Sequence, residues 1–310
     1  MSYDLETVSF PSRDGLHTVY GEIYRPESAS PRGVVQISHG MTDYTARYKN
    51  LIEFLTGEGF IVCGHHHLGH GKTARDALDF GFFADKGGVE LLVRDMHSMN
   101  RLLRERFPEL PVIMLGHSMG SFISRLYANK YPHTIAGLII HGTGGPNKLL
   151  NMGIFMTRLI GLFCGKRHRS ALVSKMAFGS YNSRFPKSEG KHAWLTREVS
   201  LVSGRDEDEY TNFTFTLSAY RDLFTLVKRS NHKSWFQEYP KDMPTFVMSG
   251  SMDPVGDYGK GPTYVYKQLL ISGVKNVKLK LYEGARHELF NEIGREEVFS
   301  DILEFLRACL

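Results

Sequence analysis

Five residues near the middle of the chain have the spacing of a nucleophilic serine in a tight turn. Gly116-His117-Ser118-Met119-Gly120 follows the apolar run 111–115 and precedes a segment that favours a helix. Flanking glycines let the backbone turn sharply, so that the serine hydroxyl stands above the end of a strand and near a helix N-terminus. The pattern predicts that Ser118 is a nucleophile; in a chain with 31 glycines, an ordinary glycine-rich turn is the alternative.

An acid and a base that would activate this serine follow it along the chain. Asp253 stands in the loop after the apolar run 244–249, and His287 stands just after the last apolar run. A serine hydroxyl is a weak nucleophile at neutral pH until a histidine takes its proton, and a carboxylate orients that histidine. We therefore expect Ser118, His287 and Asp253 to act together. The alternatives are a turn-forming aspartate and a surface histidine.

Two backbone N–H groups are expected to stabilise the negative charge that develops on the attacked carbonyl oxygen. Met119 directly follows the nucleophile, and Met41 follows the predicted strand 33–38 in Ser38-His-Gly-Met41. Backbone amides at these two places form the oxyanion hole when the serine turn has the expected geometry. The side chain of His117, next to the nucleophile, is a candidate contact for the substrate.

Apolar, β-rich runs alternate with segments of helical character along most of the chain. A sheet that is buried on both faces gives this pattern, so the sequence predicts a mostly parallel, eight-stranded α/β sheet with helices on both faces. Strands are expected at 6–10, 17–24, 33–38, 60–64, 111–115, 137–141, 244–249 and 276–282, and helices at 47–57, 88–107, 119–131, 260–272 and 295–308.

One long stretch, residues 144–240, lies between two consecutive strands of the predicted sheet. It is too long and too rich in aromatic residues to be a plain loop. We therefore expect an inserted, mainly helical cap on a core formed by residues 1–143 and 241–310.

The first segment of the cap, residues 149–163, is apolar nearly all round, and Lys166-Arg-His-Arg169 follows it. We expect Phe155 and Ile160 in this segment to contact the substrate. The cap holds 15 Lys and Arg against 8 Asp and Glu, a net charge of +7. Two interpretations stay open: transient contact with an anionic membrane surface, or an apolar helix that covers the substrate pocket beside a solvated basic flank.

Composition argues against several classes of protein. Three cysteines at no metal-ligand spacing indicate neither a disulfide framework nor a zinc site. A net charge of +5 without dense basic clusters does not favour a nucleic-acid partner. The sequence has no apolar run of about 18 residues and does not open with a secretory signal, so we expect a cytoplasmic protein, soluble or peripheral to the membrane.

Four histidines, His65, His66, His67 and His70, follow the predicted strand 60–64 closely. Imidazoles bind zinc and nickel, but adjacent residues at a strand end point to opposite faces. No Asp, Glu or Cys nearby completes a ligand set. We therefore expect a loop structured by hydrogen bonds, and no metal.

Several short motifs are spread along the chain. They are His39-Gly40 with Arg47-Tyr48, Leu68-Gly-His-Gly71, Gly116-His-Ser-Met-Gly120, Asp253-Pro-Val-Gly256 and Arg286-His-Glu288, and in the cap Phe178-Gly-Ser-Tyr-Asn182, Trp194-Leu-Thr-Arg197 and Asn212-Phe-Thr-Phe-Thr216. Taken together, the motifs resemble the monoacylglycerol lipase and lysophospholipase group of α/β-hydrolases, which are serine aminopeptidase S33-like proteins, in its bacterial branch. The resemblance covers nearly the whole chain. It implies the α/β-hydrolase fold, a serine esterase without a cofactor, a mobile cap, and an acyl-ester substrate with one acyl chain on a small polar head. In one departure, His66 stands where the family usually has an aspartate.

Other functions are compatible with parts of this pattern. A short-chain or aryl esterase and a peptidase of the same fold would use the same three residues. A catalytically inactive binding protein is disfavoured, because such proteins commonly lose one of the three. Haloalkane chemistry is disfavoured because it needs an aspartate at position 118. The sequence makes no prediction of the oligomeric state.

Overall fold

The structure, a computed structural model, describes residues 3–27 and 30–310, and within them the chain forms eight strands and nine α-helices. The strands are β1 (Tyr3–Pro11), β2 (Thr18–Pro26), β3 (Gly33–Ser38), β4 (Phe60–His65), β5 (Val112–His117), β6 (Gly137–His141), β7 (Thr245–Gly250) and β8 (Val277–Tyr282). The helices are α1 (Lys49–Gly57), α2 (Gly88–Arg106), α3 (Met119–Lys130), α4 (Leu150–Cys164), α5 (Ala171–Phe178), α6 (Leu217–Ser230), α7 (Lys233–Glu238), α8 (Lys260–Ile271) and α9 (Arg295–Ala308).

All eight strands join in one sheet, in the spatial order β1-β2-β4-β3-β5-β6-β7-β8. β2 is antiparallel to both of its neighbours, and every other pair of strands is parallel. The parallel strands therefore end at one edge of the sheet, where the loops that follow them meet. The predicted fold, a mostly parallel eight-stranded α/β sheet, is confirmed, and each expected strand and helix is present with ends that differ by a few residues.

Successive residues of the central strands pack into two separate cores. In β5, Val112 and Met114 belong to the core on the side of α2 and α3, whereas Ile113 and Leu115 belong to the core on the side of α1 and α9. Because side chains alternate between the two faces of a strand, a strand that is buried on both faces needs a continuous apolar run. This double burial fixes the strand ends that carry the candidate catalytic residues.

The stretch predicted as a cap, residues 144–240, contains α4 to α7. Helix α4 packs on α6, and α6 in turn packs on α2 and α3. The buried guanidinium of Arg125 in α3 donates to Thr143 Oγ1 (3.3 Å), just before this stretch, and to Asn231 Oδ1 (3.2 Å) and the Ser230 carbonyl, where α6 ends. None of the helices in the described residues is long and apolar enough to cross a membrane.

Candidate active site

Ser118 lies in a strained turn between β5 and α3. Its backbone has φ 52° and ψ −120°, a left-handed region that non-glycine residues rarely adopt. The flanking glycines are required by close approach, because a Cβ at Gly116 would lie 2.5 Å from Ser124 Oγ, and one at Gly120 would lie 1.9 Å from the carbonyl oxygen of Ser38. The strand, turn and helix expected from the motif therefore occur in that order.

Asp253 and His287 follow the two strands on one side of β6, and they are hydrogen bonded. His287 Nδ1–H donates to Asp253 Oδ2 at 2.9 Å, and this carboxylate also accepts from Ser249 Oγ (3.1 Å) and from the Val255 amide (2.9 Å). Burial by itself raises the pKa of Asp253, but the charge of His287 and these hydrogen bonds lower it below the ordinary value. An ionised carboxylate thus holds His287 with its proton on Nδ1, which leaves Nε2 free to act as a base.

Both predicted oxyanion donors lie beside the serine. The loop after β3 approaches it so closely that a Cβ at Gly40 would lie 3.2 Å from Ser118 Cβ. Met41 and Met119 line the same cavity as Ser118 and His287. Within the described part of the chain, neither of these two amide N–H groups donates a hydrogen bond to another backbone or side-chain group. Met119 is also the first residue of α3, where the helix dipole favours negative charge.

Behind this loop, the residues of two separate motifs form one buried ionic network. Arg47 Nε contacts Asp43 Oδ1 at 3.1 Å, and Arg47 Nη2 donates to Glu288 Oε2 at 3.1 Å. The Tyr48 hydroxyl donates to Asp43 Oδ2 at 2.9 Å, and the Gly40 amide donates to the same oxygen at 3.4 Å. Burial raises the pKa of Glu288, but the charges of Arg47 and, to a smaller extent, Arg205 lower it to about 2. The network joins the loop after β3 to the residue that follows His287.

His117 packs against a second buried histidine rather than against solvent. Its Nδ1 lies 2.9 Å from Nδ1 of His141, and its ring centroid lies 4.7 Å from that of His287. Burial, followed by the neighbouring His141 and His287, lowers the pKa of His117 far below its ordinary value, so it is neutral. His117 lines the cavity, as a substrate contact must.

The histidine cluster is buried and structured largely by hydrogen bonds. His66 Nδ1 accepts from the Lys72 amide (2.9 Å), His67 Nε2 lies 3.1 Å from Ser38 Oγ, and His70 Nδ1–H donates to the Leu68 carbonyl (3.0 Å). Burial lowers the pKa of each of these three side chains. His65 differs, because both of its ring nitrogens lack a partner. Among the described residues, no group of three or more His, Cys, Asp or Glu side chains is placed to hold a metal ion.

Ser118 and His287 lie in the wall of a cavity of about 1280 Å³. Most of the rest of this wall is apolar and comes from the stretch between β6 and β7. Its apolar side chains include Leu149, Leu150, Met152, Met156, Val173, Met176, Phe178, Tyr220, Leu223, Phe224 and Val227.

Phe155 and Ile160 do not line this cavity, which corrects the expectation that they contact the substrate. Phe155 is 60% exposed, and Ile160 packs against the core. Residues that are three or four apart share one face of a helix, and the residues of α4 that line the cavity are Leu150, Met152, Gly153 and Met156. An almost uniformly apolar helix has no periodicity from which its cavity face could be read.

Two residues of the stretch 144–240 contact His287 or Glu288 and had no predicted role. The Trp194 ring lies 5.1 Å from the His287 ring, and the Trp194 carbonyl accepts from the His287 amide at 3.4 Å. Arg205, of the same stretch, donates to Glu288 and to the carbonyl of Thr42 in the loop after β3. Trp194 belongs to one of the motifs that carry the family resemblance, but neither side chain stands in a sequence pattern that shows what it contacts.

Comparison with known proteins gives consistent matches over most of the chain. The family model described as serine aminopeptidase, S33 (Hydrolase_4) matches residues 29–294. A monoacylglycerol lipase of Mycolicibacterium smegmatis is 28% identical, over 96% of this chain and 95% of the relative. The human monoglyceride lipase is 26% identical, over 95% of this chain and 90% of the relative. A thermostable carboxyl esterase of Bacillus coagulans, solved in complex with glycerol, superposes with a TM-score of 0.91 at 30% identity, over 99% of both chains.

Proposed function

The chain belongs to the serine aminopeptidase S33 family of α/β-hydrolases, and from this premise we propose that it hydrolyses the esters of monoacyl lipids through an acyl-enzyme on Ser118. The observation that carries the proposal is the cavity itself, in which Ser118 and His287 share a wall with apolar side chains of α4, α5 and α6. A catalytic site beside a long apolar wall suits an ester with one acyl chain. The relatives named as monoacylglycerol lipases support the same substrate class.

In the proposed reaction, His287 Nε2 takes the proton of the Ser118 hydroxyl while Oγ attacks the ester carbonyl carbon. The Met41 and Met119 amides donate to the oxyanion of the tetrahedral intermediate. The intermediate collapses, and His287 gives the proton to the leaving alcohol. A water molecule, deprotonated by His287, then attacks the acyl-enzyme; the fatty acid leaves and Ser118 regains its proton.

The acyl-length preference tests the substrate class. We expect kcat/KM for soluble p-nitrophenyl esters to rise by about two orders of magnitude over four added carbons, because each buried methylene contributes about 0.8 kcal/mol. Met156→Glu, which places a charge in the cavity wall, should remove most of this rise while acetyl-ester turnover changes little.

Phe155→Glu is the matched control, because it places the same charge on the neighbouring, exposed residue of α4. It should keep the wild-type preference for soluble esters. A wild-type enzyme that prefers acetyl esters, or that cleaves only aminoacyl substrates, would instead indicate the short-chain esterase or the peptidase.

We further propose that the outer face of α4 and α5 contacts an anionic lipid surface transiently. Large apolar side chains on this face lie in water, and Leu162 and Phe163 at the end of α4 are 80% and 84% exposed. Basic side chains flank them. Such a face suits insertion of apolar groups between lipids whose head groups are negative. The exposed apolar residues on this face are Phe155, Leu159, Leu162, Phe163 and Leu172, and the basic ones include Arg158 and Lys166.

Vesicle sedimentation tests this contact. The wild-type chain should bind phosphatidylglycerol vesicles more tightly than phosphatidylcholine vesicles, and added salt should weaken the binding. Phe163→Glu should lower the affinity about tenfold or more, since burial of one phenylalanine contributes about 1.5–3 kcal/mol. Ile271→Glu changes a similarly exposed residue of α8 and should have no effect. If the wild-type chain does not bind vesicles, the lipid contact is wrong. The same follows if Phe163→Glu binds vesicles like the wild-type chain but differs from it in oligomeric state.

A further inference from the structure

We propose that Arg205, a residue of the cap, is a positioning residue for the oxyanion hole, so that the carbonyl chemistry requires this part of the cap to be docked on the core. The proposal rests on the proposed function, since it assigns the Met41 amide to the oxyanion. The proposal adds that Arg205, a cap side chain, fixes the position of the Met41 amide.

Arg205 is buried although it belongs to the short 3₁₀ helix Ser203–Asp206 of the cap. Its Nη2 donates to the Thr42 carbonyl oxygen at 2.8 Å and to Thr42 Oγ1 at 3.2 Å. Its Nη1 donates to Glu288 Oε1 at 3.2 Å. Charge-assisted hydrogen bonds of a buried guanidinium are directional and strong, so this side chain fixes the two groups that it joins.

Arg205 reaches the loop that follows β3, residues 39–43, which we call the oxyanion loop. It does so through Thr42, and the backbone of Thr42 is strained. Its φ is 48°, in the left-handed region that favours glycine. The Thr42 amide donates to His70 Nε2 at 3.2 Å, and the Thr42 carbonyl accepts from Arg205, so both of its peptide groups are held. The Met41 amide lies one residue earlier. A conformation that costs about 1–3 kcal/mol persists only while its surroundings hold it.

The contact with Glu288 gives Arg205 a second connection, because Glu288 follows His287. The Glu288 amide also donates to the carbonyl of the cap residue Leu195 at 2.7 Å. One cap side chain therefore joins the loop of the oxyanion donor to the loop of the catalytic base. Arg47, from the core, also pairs with Glu288, so loss of Arg205 leaves this buried carboxylate with a partner. Among the described residues, Arg205 alone donates side-chain hydrogen bonds to the Thr42 carbonyl and hydroxyl.

If Arg205 positions the oxyanion hole, its loss should lower the rate of chemistry and not the binding of substrate. For Arg205→Ala we expect kcat with p-nitrophenyl acetate to fall about 10- to 100-fold while KM changes less than about twofold, since displacement of a donor costs most of what its removal costs. The rate of labelling by a fluorophosphonate should fall in parallel. Guanidinium ion at tens of millimolar should restore part of kcat, because it can occupy the vacated space.

Arg167→Ala is the matched control. Arg167 also joins the cap to the core, through Asp79 at 3.4 Å and the ring of Phe82, but it touches neither the cavity nor the oxyanion loop. It should keep the wild-type kcat and should show no response to guanidinium. Arg205→Lys keeps the positive charge next to Glu288 but loses the planar guanidinium, so it should have an intermediate kcat. If Arg205→Ala does not fold, Arg205→Lys is used to test the proposal.

A folded Arg205→Ala or Arg205→Lys variant with wild-type kcat would overturn the proposal. A fall of kcat that guanidinium does not restore, accompanied by a lower melting temperature and an equal rise of KM, would show a structural role alone and would overturn it too. The assay uses an acetyl ester, so its outcome is separate from the acyl-length series. A wild-type enzyme without any preference for long chains would remove the proposed substrate and leave the role of Arg205 standing.

Discussion

Ser118→Ala is expected to lower kcat for ester hydrolysis by about 10⁶-fold and to abolish labelling by a fluorophosphonate. Both reactions form a bond between Oγ and an electrophilic carbon or phosphorus, and alanine has no atom that replaces Oγ. The methyl group of alanine fits where the CH₂ of serine lies, so the variant should fold. Steady-state turnover of a p-nitrophenyl ester and mass spectrometry of the labelled chain measure the two effects.

Ser121→Ala provides the matched control for this experiment. Ser121 lies on the first turn of α3, and its hydroxyl donates to the Ser118 carbonyl at 2.6 Å. Loss of this hydrogen bond should lower the free energy of unfolding by about 1 kcal/mol and leave labelling intact. If Ser118→Ala is labelled like the wild-type chain, or if Ser121→Ala is the variant that loses labelling, the nucleophile has been assigned to the wrong residue.

The fold and the places of Ser118, Asp253 and His287 at one edge of the sheet could be predicted, because local patterns specify them. Buried strands need apolar runs, and the turn at Ser118 needs glycines on both sides, so both features stand in the sequence itself. The predicted positions of Asp253 and His287 followed from the strands that precede them. In each case one short segment carries the whole signal, and the sheet brings the segments to one edge.

The contacts between residues 144–240 and the rest of the chain could not be predicted, because they join residues far apart in the chain. Arg205 is one of 38 Lys and Arg residues, and nothing in its neighbours shows that it is buried against Thr42. The cavity face of α4 was missed for a different reason. Its apolar residues occupy every side of the helix, so Met156 and Phe155 look alike in sequence although only Met156 lines the cavity.

The histidine cluster differs from the expected motif at one position, His66. His66 stands where the family resemblance leads us to expect an aspartate, and its Nδ1 accepts from the Lys72 amide as a carboxylate oxygen would. The pKa of His66 is lowered to about 4, chiefly by burial, so a neutral imidazole fills this place at neutral pH. A neutral histidine at position 66 therefore gives the loop a hydrogen-bond acceptor without the negative charge of a carboxylate.

Asp253→Asn is expected to lower kcat by about 10⁴-fold with a small effect on KM. The carboxylate accepts the Nδ1 proton of His287, whereas an asparagine amide can donate to Nδ1 and so favours the tautomer that carries its proton on Nε2. A histidine protonated on Nε2 cannot accept the proton of Ser118. His287→Ala removes the base itself and should cost at least as much. Steady-state kinetics with the acetyl ester measure both variants.

Asp257→Asn separates the loss of this one carboxylate from a general change of charge in the same loop. Asp257 is exposed and pairs with Lys260 at 3.2 Å, whereas Asp253 is fully buried against His287. An exposed pair of this kind contributes about 0–1 kcal/mol, so Asp257→Asn should keep nearly all of the wild-type kcat. Nearly full activity in Asp253→Asn together with a large loss in Asp257→Asn would exchange their roles. Asp257 has no hydrogen bond to His287 through which it could orient the base. A large loss of kcat in both variants would therefore indicate that the loop itself is disrupted.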